Sequence, residues 1–312
     1  MPNFVVSGLS NYVEQNRDLI LKNFALAGPG TRSRIGIQTG VKGKEHLHYL
    51  ALAPVFADGS ECGFSAAGTA TLTERTIETA IVKVNMTICP ETLVGKYAEY
   101  LVRINATEND LPYEQYVIDG ILAEINKGIE KLIWKGDKTQ TSDATRKWIN
   151  GFLKQFATES SSLAADLTGT SALTAGTTAW NAVYAVYKAM PAETLRRDNP
   201  VIFVGDELFR EFTLGLLNSN LFHFAPDADQ DEVLIPATKV RLVNTPGLDG
   251  TKYIVGTFAD NLVYGCDMEN DEEKFFLRYS DDDEIWKLTV KFNLGVAYHF
   301  PNQIVFAEIA SA

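Results

Sequence analysis

The stretch that decides the fold is Leu111 to Gly136, LPYEQYVIDGILAEINKGIEKLIWKG. Val117, Ile121, Ile125, Ile129 and Ile133 recur every fourth residue, and Tyr116, Leu122 and Leu132 widen the stripe. Side chains at that spacing share one face of a helix, so the stretch is predicted to be a long amphipathic helix with a buried side. Asp110 is the expected N-cap, and Pro112 falls in the first turn, where its missing N–H costs nothing. Lys131 and Lys135 suit the negative end of the dipole, and Gly136 is expected to close the helix in a left-handed turn. About 25 residues at ~1.5 Å each span roughly 37 Å, the width of a small domain. Gly120 and Gly128 interrupt this helix at about 1 kcal/mol each relative to Ala, either as tolerated drift or for close approach of another backbone.

Composition narrows the possibilities around that helix. A chain of 312 residues with 46% hydrophobic content can bury a large core. No apolar run approaches the ~18 residues of a membrane span. The start, MPNFVVSGLSNYVEQNRD, lacks the basic and apolar regions of a secretory signal, so a cytosolic site of synthesis and no membrane association are expected. Cys62, Cys89 and Cys266 are far apart without CxxC spacing, which indicates reduced thiols rather than a disulfide framework or zinc site. His46 and His48 share a strand face with no ligand cluster nearby and read as ordinary strand surface.

The formal charge is −12, from 28 Lys+Arg against 40 Asp+Glu. No basic patch stands out that could neutralise phosphates, so tight nucleic-acid binding is not expected. The acid is concentrated late, in DMENDEE (Asp267 to Glu273) and DDDE (Asp281 to Glu284). These runs lack the ordered spacing and central glycine of a calcium loop and read as solvated loops.

Taken in order, residues 10 to 26 form a first helix with Tyr12, Leu19, Leu21 and Phe24 on its apolar side, stopped by GPG at 28 to 30. TRSRIGIQTGVKGKEH follows as an extended arm rather than part of a core. His46–Val55 and Thr69–Ile88 are predicted strands of a long hairpin, the second alternating through Val82, Val84, Met86 and Ile88. Asp58-Gly59 is a strong turn pair at its tip. A two-stranded ribbon poor in large apolar groups is marginal alone in water, so it must lie on something, and a neighbouring copy is the natural candidate.

Beyond a short helix in 91–105 and the long helix, Asp143 is the expected cap of a helix burying Trp148, Ile149, Phe152, Leu153 and Phe156. Thr178 is expected to cap another through Trp180, Val183, Tyr184 and Tyr187, ended by Pro191. VIFV (201–204) is a buried strand, and Asp206 opens the helix ELFREFTLGLL. KVRLV, KYIVGTF, NLVYGC, FFLRYS, Ile285–Tyr298 and IVFAEI are strands. Helices early and strands late, without βαβ alternation, define an α+β fold.

The motifs of catalysis are missing: GxxxxGK[ST], GxGxxG, GxSxG and HExxH do not occur. No catalytic, cofactor-binding or metal-ligating residue is assigned, and no enzyme activity is expected.

The order of arm, hairpin, long helix and strand-rich end resembles the major capsid proteins of tailed bacteriophages, the HK97-like fold, over essentially all 312 residues. WKGD followed by NGFLKQF, KYIVGTFADNLVYGC, and KLTVKFNLGVAYHFPNQIVFAEI fit that family's local passages. GVKG, ECGF and IVKVNMTIC followed by PETL look like capsid proteins of Bacteroidetes-infecting phages, including crAss-like relatives. The resemblance implies an N-terminal arm at 1–40 and an extended loop at 41–92. It implies a peripheral domain at 93–170 with a spine helix at 111–135, to which 270–298 returns, and an axial domain at 171–269 with 299–312.

It further implies self-assembly into hexamers and pentamers of an icosahedral head enclosing double-stranded DNA, without sequence-specific binding. Assembly would take place in the cytoplasm of a bacterial host, with portal and decoration proteins as partners. The chain begins directly with the arm, so the scaffolding protein is expected to be separate and no pro-segment to be removed. The prototype's Lys–Asn crosslink has no matching residues here. Leu19, Leu21, Phe24, Phe56, Asp58, Gly59, Gly63 and Phe64 are the expected inter-subunit contacts. Val117, Gly120, Ile121, Ile125, Gly128, Ile129 and Ile133 are the expected packing positions of the spine, the glycines now favoured as sites of close approach by sheet or neighbour.

An encapsulin-type nanocompartment shell is the alternative within the same fold, and an enzyme with an unrecognised α+β site is a remote one. If the tip turn serves assembly, Gly59→Val impairs particle formation far more than monomer unfolding by denaturant; equal loss of both contradicts the reading.

Overall fold

The computed structural model describes residues 30–53, 55–56, 68–89, 113–143, 145–159, 162–165, 167, 176–218, 231–267 and 275–309. The expected first helix with Leu19, Leu21 and Phe24, the tip residues Asp58, Gly59, Gly63 and Phe64, and the short helix in 91–105 lie outside them.

The strands and helices in chain order are β1 (Gly36–Thr39), β2 (Lys44–Ala53), β3 (Thr69–Glu78), β4 (Ala80–Ile88), α1 (Tyr113–Lys135), α2 (Phe152–Thr158) and β5 (Leu163–Ala164). Then come α3 (Gly176–Ala189), α4 (Ala192–Arg196), β6 (Pro200–Val204), α5 (Asp206–Asn218), β7 (Glu232–Leu234) and β8 (Arg241–Asn244). The chain ends with β9 (Tyr253–Phe258), β10 (Leu262–Cys266), β11 (Phe275–Ser280), β12 (Ile285–Tyr298) and β13 (Val305–Glu308). The α+β reading holds.

Two sheets organise the body. In the first, β1 runs parallel to β10, β10 is antiparallel to β12, and β12 pairs both β11 and β4. The second has six strands in the order β5-β13-β9-β6-β8-β7. The stripe of α1 lies against the first sheet: Ile121, Ile125, Ile129, Leu132 and Ile133 share a buried core with Val82, Leu288, Val290 and Leu294. The second sheet is covered on both faces, which is why VIFV is apolar without alternation. Val201 and Phe203 join the core around α1, while Ile202 and Val204 pack beneath α3 and α5.

Four expectations are corrected. The single strand Thr69–Ile88 is two strands, broken at Thr79. β3 stays with the hairpin partner β2, whereas β4 crosses to β12, where the Val82–Ile88 alternation finds a core. The crossing requires Gly295, where a Cβ would stand 2.4 Å from the Glu78 carbonyl oxygen. The second helix begins at Phe152, not Asp143. The Asp143 carboxylate instead closes a local turn, accepting from the Thr145 N–H at 2.8 Å and Arg146 Nε at 2.6 Å, and Trp148 is left exposed.

Gly136 is not left-handed; among the described glycines only Gly30, Gly40, Gly43 and Gly250 have positive φ. Its small size is what counts. A Cβ there would lie 2.6 Å from the Ile149 carbonyl oxygen, and one on Gly151 would lie 2.7 Å from those of Ile133 and Trp134. The two glycines let the entrance of α2 touch the end of α1. The fourth correction concerns the arm. Thr31, Arg32, Ile35 and Val41 are buried and β1 is a sheet member, so residues 31–41 belong to the subunit's own core.

Gly151→Ala is expected to cost about 1–3 kcal/mol, because the methyl meets backbone on three sides and backbone cannot move aside. Urea unfolding of the variant measures this; an unchanged midpoint would contradict the close packing.

Candidate assembly surfaces

Three features determine what this subunit can offer a neighbour: how its N-terminal segment is held, how the hairpin is rooted, and which surfaces stay uncovered.

The N-terminal segment is held by a buried polar cluster. Arg32 and Glu130 are 0% and 3% exposed. Arg32 Nη2 donates to Asn126 Oδ1 at 2.7 Å, the Thr31 N–H to Glu130 Oε2 at 3.3 Å, and Trp134 Nε1 to Thr31 Oγ1 at 2.6 Å. Arg32 Nε and Glu130 Oε1 are 3.7 Å apart, too far for a hydrogen bond, so their attraction is Coulombic. Burial pushes the Glu130 carboxyl above its ordinary range, against the opposing pull of the Thr31 hydrogen bond and the Arg32 charge. Burial also raises the neighbouring Tyr264 phenol.

These residues escaped the sequence reading, although a signal existed. Leu122, Asn126, Glu130 and Trp134 form a second row along α1, beside the isoleucine stripe, with two polar groups between apolar ends. The sequence does not say what meets that row.

The hairpin is fixed at its root. Lys44 to Ala53 pair in register with Glu78 to Thr69. The Thr79 N–H donates to the Gly43 carbonyl at 2.7 Å, and Glu78 takes Lys138 at 3.2 Å. Arg75 Nη2 donates to Glu159 Oε2 at 2.6 Å, and its guanidinium lies 4.4 Å from the centre of the Tyr298 ring. Tyr298 also donates to Glu159, at 2.9 Å, and burial together with that bond pushes the phenol up to about 12. One end of the ribbon is therefore anchored to β12 and α2. Towards the other end, Leu72 is 64% exposed, Val55 58% and Phe56 96%. Among the described residues none covers Phe56.

The structure separates the spine positions. Ile121, Ile125, Ile129 and Ile133 are buried and Val117 is half-buried. Around a Cβ placed on Gly120 or Gly128, no described heavy atom falls within 4 Å, so neither glycine makes room for the sheet. Beside Gly128 an open groove of about 830 Å³ runs between α1 and β4, floored by Val84, Ile125, Ile129 and Phe292.

Among the described residues, no three His, Cys, Asp or Glu side chains converge as metal ligands, and no helix is long and apolar enough to cross a membrane. Cys266 is buried and Cys89 exposed. His46 and His48 stack 6.5 Å apart on the exposed ribbon, with His46 paired to Glu74.

Two outcomes follow from the geometry. Glu130→Gln removes the carboxylate that faces the buried Arg32 guanidinium and is expected to cost about 3–5 kcal/mol, whereas Arg32→Met combined with Glu130→Met is expected to cost less, because no charge is then left buried opposite a neutral group. Denaturant titration of both variants checks this, and equal losses would contradict it. Gly128→Ala is expected to raise monomer stability by about 1 kcal/mol, since the methyl enters open space on a helix; a fall in the unfolding midpoint would contradict that.

No protein-family profile and no curated protein matches the sequence. Solved structures do match in three dimensions. A protein of the satellite phage P4 procapsid, a structure that includes the size determination protein Sid, aligns with TM-score 0.59 at 12% identity, over 95% of this chain and 100% of its own. The capsid of an empty GTA particle aligns with TM-score 0.53 at 12% identity, over 92% and 90%. A virus-like particle from Pyrococcus furiosus aligns with TM-score 0.51 at 8% identity, over 95% and 99%. The chain therefore has the HK97-like capsid fold, a mixed α+β architecture that these particle-forming proteins share with it.

Proposed function

We propose that this chain is a shell-forming structural protein, the major capsid protein of a tailed-phage head, which assembles into hexamers and pentamers around double-stranded DNA. The observation that carries this reading is the full-length match to the P4 procapsid protein, 95% of one chain on 100% of the other. The hairpin supports it, because Phe56 is 96% exposed and closed shells supply neighbours on every side. In this reading residues 1–40 are an arm whose last ten are locked by Arg32, 41–92 form the extended loop, and α1 is the spine of a peripheral domain. The six-stranded sheet belongs to the axial domain.

A separate scaffolding protein, portal and decoration proteins are the proposed partners, within a virion assembled in a bacterial cytoplasm. The narrower affinity to Bacteroidetes-phage and crAss-like capsid proteins rests on GVKG, ECGF and IVKVNMTIC alone. A charge of −12 per copy suits a container, since it disfavours tight adhesion of packaged DNA within the ~8 Å over which salt leaves charges unscreened. No catalytic step is assigned to the chain.

An encapsulin-type shell is the second reading, favoured by the Pyrococcus furiosus virus-like particle at 95% and 99% coverage. Expression of the full chain, alone and with a candidate scaffolding protein, followed by electron microscopy tests both readings. Particles that package nucleic acid support the phage head, and particles that enclose protein cargo support the nanocompartment. A persistent monomer under all these conditions overturns both.

A further inference from the structure

The open groove between α1 and β4 has a charge opposite to that of the chain. The sequence holds 28 basic residues against 40 acidic ones and shows no basic run. The fold nevertheless gathers Lys83, Lys127, Lys131, Lys135 and Arg146 around this groove, against Glu124, Asp143 and Asp249. Lys127, Lys131 and Lys135 stand every fourth residue along α1, on one row and about 6 Å apart. The three acids are already engaged. Asp143 takes Arg146 at 2.6 Å, Glu124 takes Lys127, and the Asp249 carboxylate accepts the Asp206 N–H at 3.1 Å. Among the described residues no carboxylate pairs with Lys83 or Lys131. Burial holds the Lys135 ammonium below its usual range, and the Arg146 and Lys131 charges push it further down against the pull of Asp249. These cations therefore stand close enough to repel one another, and an anion in the groove relieves them together. Trp148 lines the same groove, 42% exposed, with Lys147 Nζ 5.2 Å from the ring centre. Exposed tryptophan is enriched at contact surfaces, where its flat ring buries a large area.

We infer that this groove binds the backbone of nucleic acid, with phosphates along the row Lys127, Lys131 and Lys135 and a sugar or base against Trp148. A row of evenly spaced cations beside an aromatic platform is the arrangement that tracks phosphates while a ring packs on the side chain. The even row suits a polymer charged at every unit, and the platform suits one that carries flat rings. Nucleic acid has both properties, whereas an acidic peptide lacks the second. Elsewhere a subunit of charge −12 repels nucleic acid, so the groove supplies one local foothold per copy. An enclosed polymer is then located without being held tightly. The inference rests on the reading of a particle that encloses nucleic acid and names the residues that touch it.

Fluorescence anisotropy of the full-length, unassembled subunit with short labelled oligonucleotides, one single-stranded and one duplex, tests it. Wild type is expected to bind at least one of them at physiological salt, with Kd on the order of 1–100 µM. Lys127→Ala with Lys131→Ala should weaken that binding about tenfold and reduce the slope of log affinity against log salt by about 1.4–1.8. Both lysines are exposed, so the thermal midpoint should hold. Lys188→Ala with Lys239→Ala, equal in charge but away from the groove, should change neither affinity nor slope. Trp148→Ala should weaken binding at least about fivefold. A loss confined to the single strand assigns the ring to a base, and a loss with both oligonucleotides assigns it to a sugar. The inference is overturned if neither oligonucleotide binds, if the control pair costs as much as the groove pair, or if Trp148→Ala binds normally. Equally tight binding of poly-glutamate also overturns it and gives the groove to an acidic peptide. Particle formation is scored separately: loss of the binding result leaves the shell reading intact, and a wild type that never assembles overturns the shell reading whatever the oligonucleotides do.

Discussion

The structure hangs on the burial of Trp134, the last apolar residue of the long helix. Its ring is 0% exposed and meets Phe152 at 5.3 Å and Phe203 at 5.4 Å, measured between ring centres. Its indole N–H donates to Thr31. A Cβ on Gly247 would fall 2.3 Å from its Cδ1, so the turn after β8 rests directly on the ring. The N-terminal segment, the second helix, the six-stranded sheet and the turn at 246–248 are thus located by one side chain. Aromatic rings bury large area and tolerate few orientations, so such a contact fixes position as well as supplying stability. The glycine pair at 136 and 151 makes it possible by letting α2 come within backbone contact of α1.

The buried Arg32–Glu130 pair beside that tryptophan does a different task. Taking both charges out of water is costly, and their mutual attraction offsets that cost only with good geometry. Apolar residues would hold the segment as firmly, but in more than one register. Asn126, Glu130 and Trp134 each present one acceptor or donor in a fixed place, and Thr31 and Arg32 of the segment satisfy all three together. The cluster therefore specifies where Thr31 and Arg32 lie along α1.

The same division between rigid root and uncovered end recurs in the hairpin. Arg75, Glu159 and Tyr298 anchor one end, while Val55 and Phe56 remain exposed near the other. A ribbon of two strands gains little by itself. Held rigidly at its base, it presents that surface in a defined direction. Stability within the subunit and incompleteness outside it are two aspects of one arrangement.

Periodicity made the elements legible. The isoleucine stripe gave the long helix its buried face, VIFV its doubly covered strand, and the Val82–Ile88 alternation its core side, because each pattern reports local geometry and burial together. The order of parts was enough to indicate the fold. Partners across the chain were not legible. That β4 abandons β3 for β12, that Gly136 is needed for contact rather than for a left-handed turn, and that Arg32 meets Glu130 all depend on segments many residues apart. The stretch 31–41 reads as an extended arm for the same reason: it has few large apolar groups, and what buries it is a polar cluster on α1 at Thr31 and Arg32 together with distant strands and their apolar side chains at Ile35 and Val41. Sequence patterns record what each segment needs to bury. Only the tertiary structure decides against what it is buried, since that choice depends on the simultaneous fit of surfaces that no local spacing encodes.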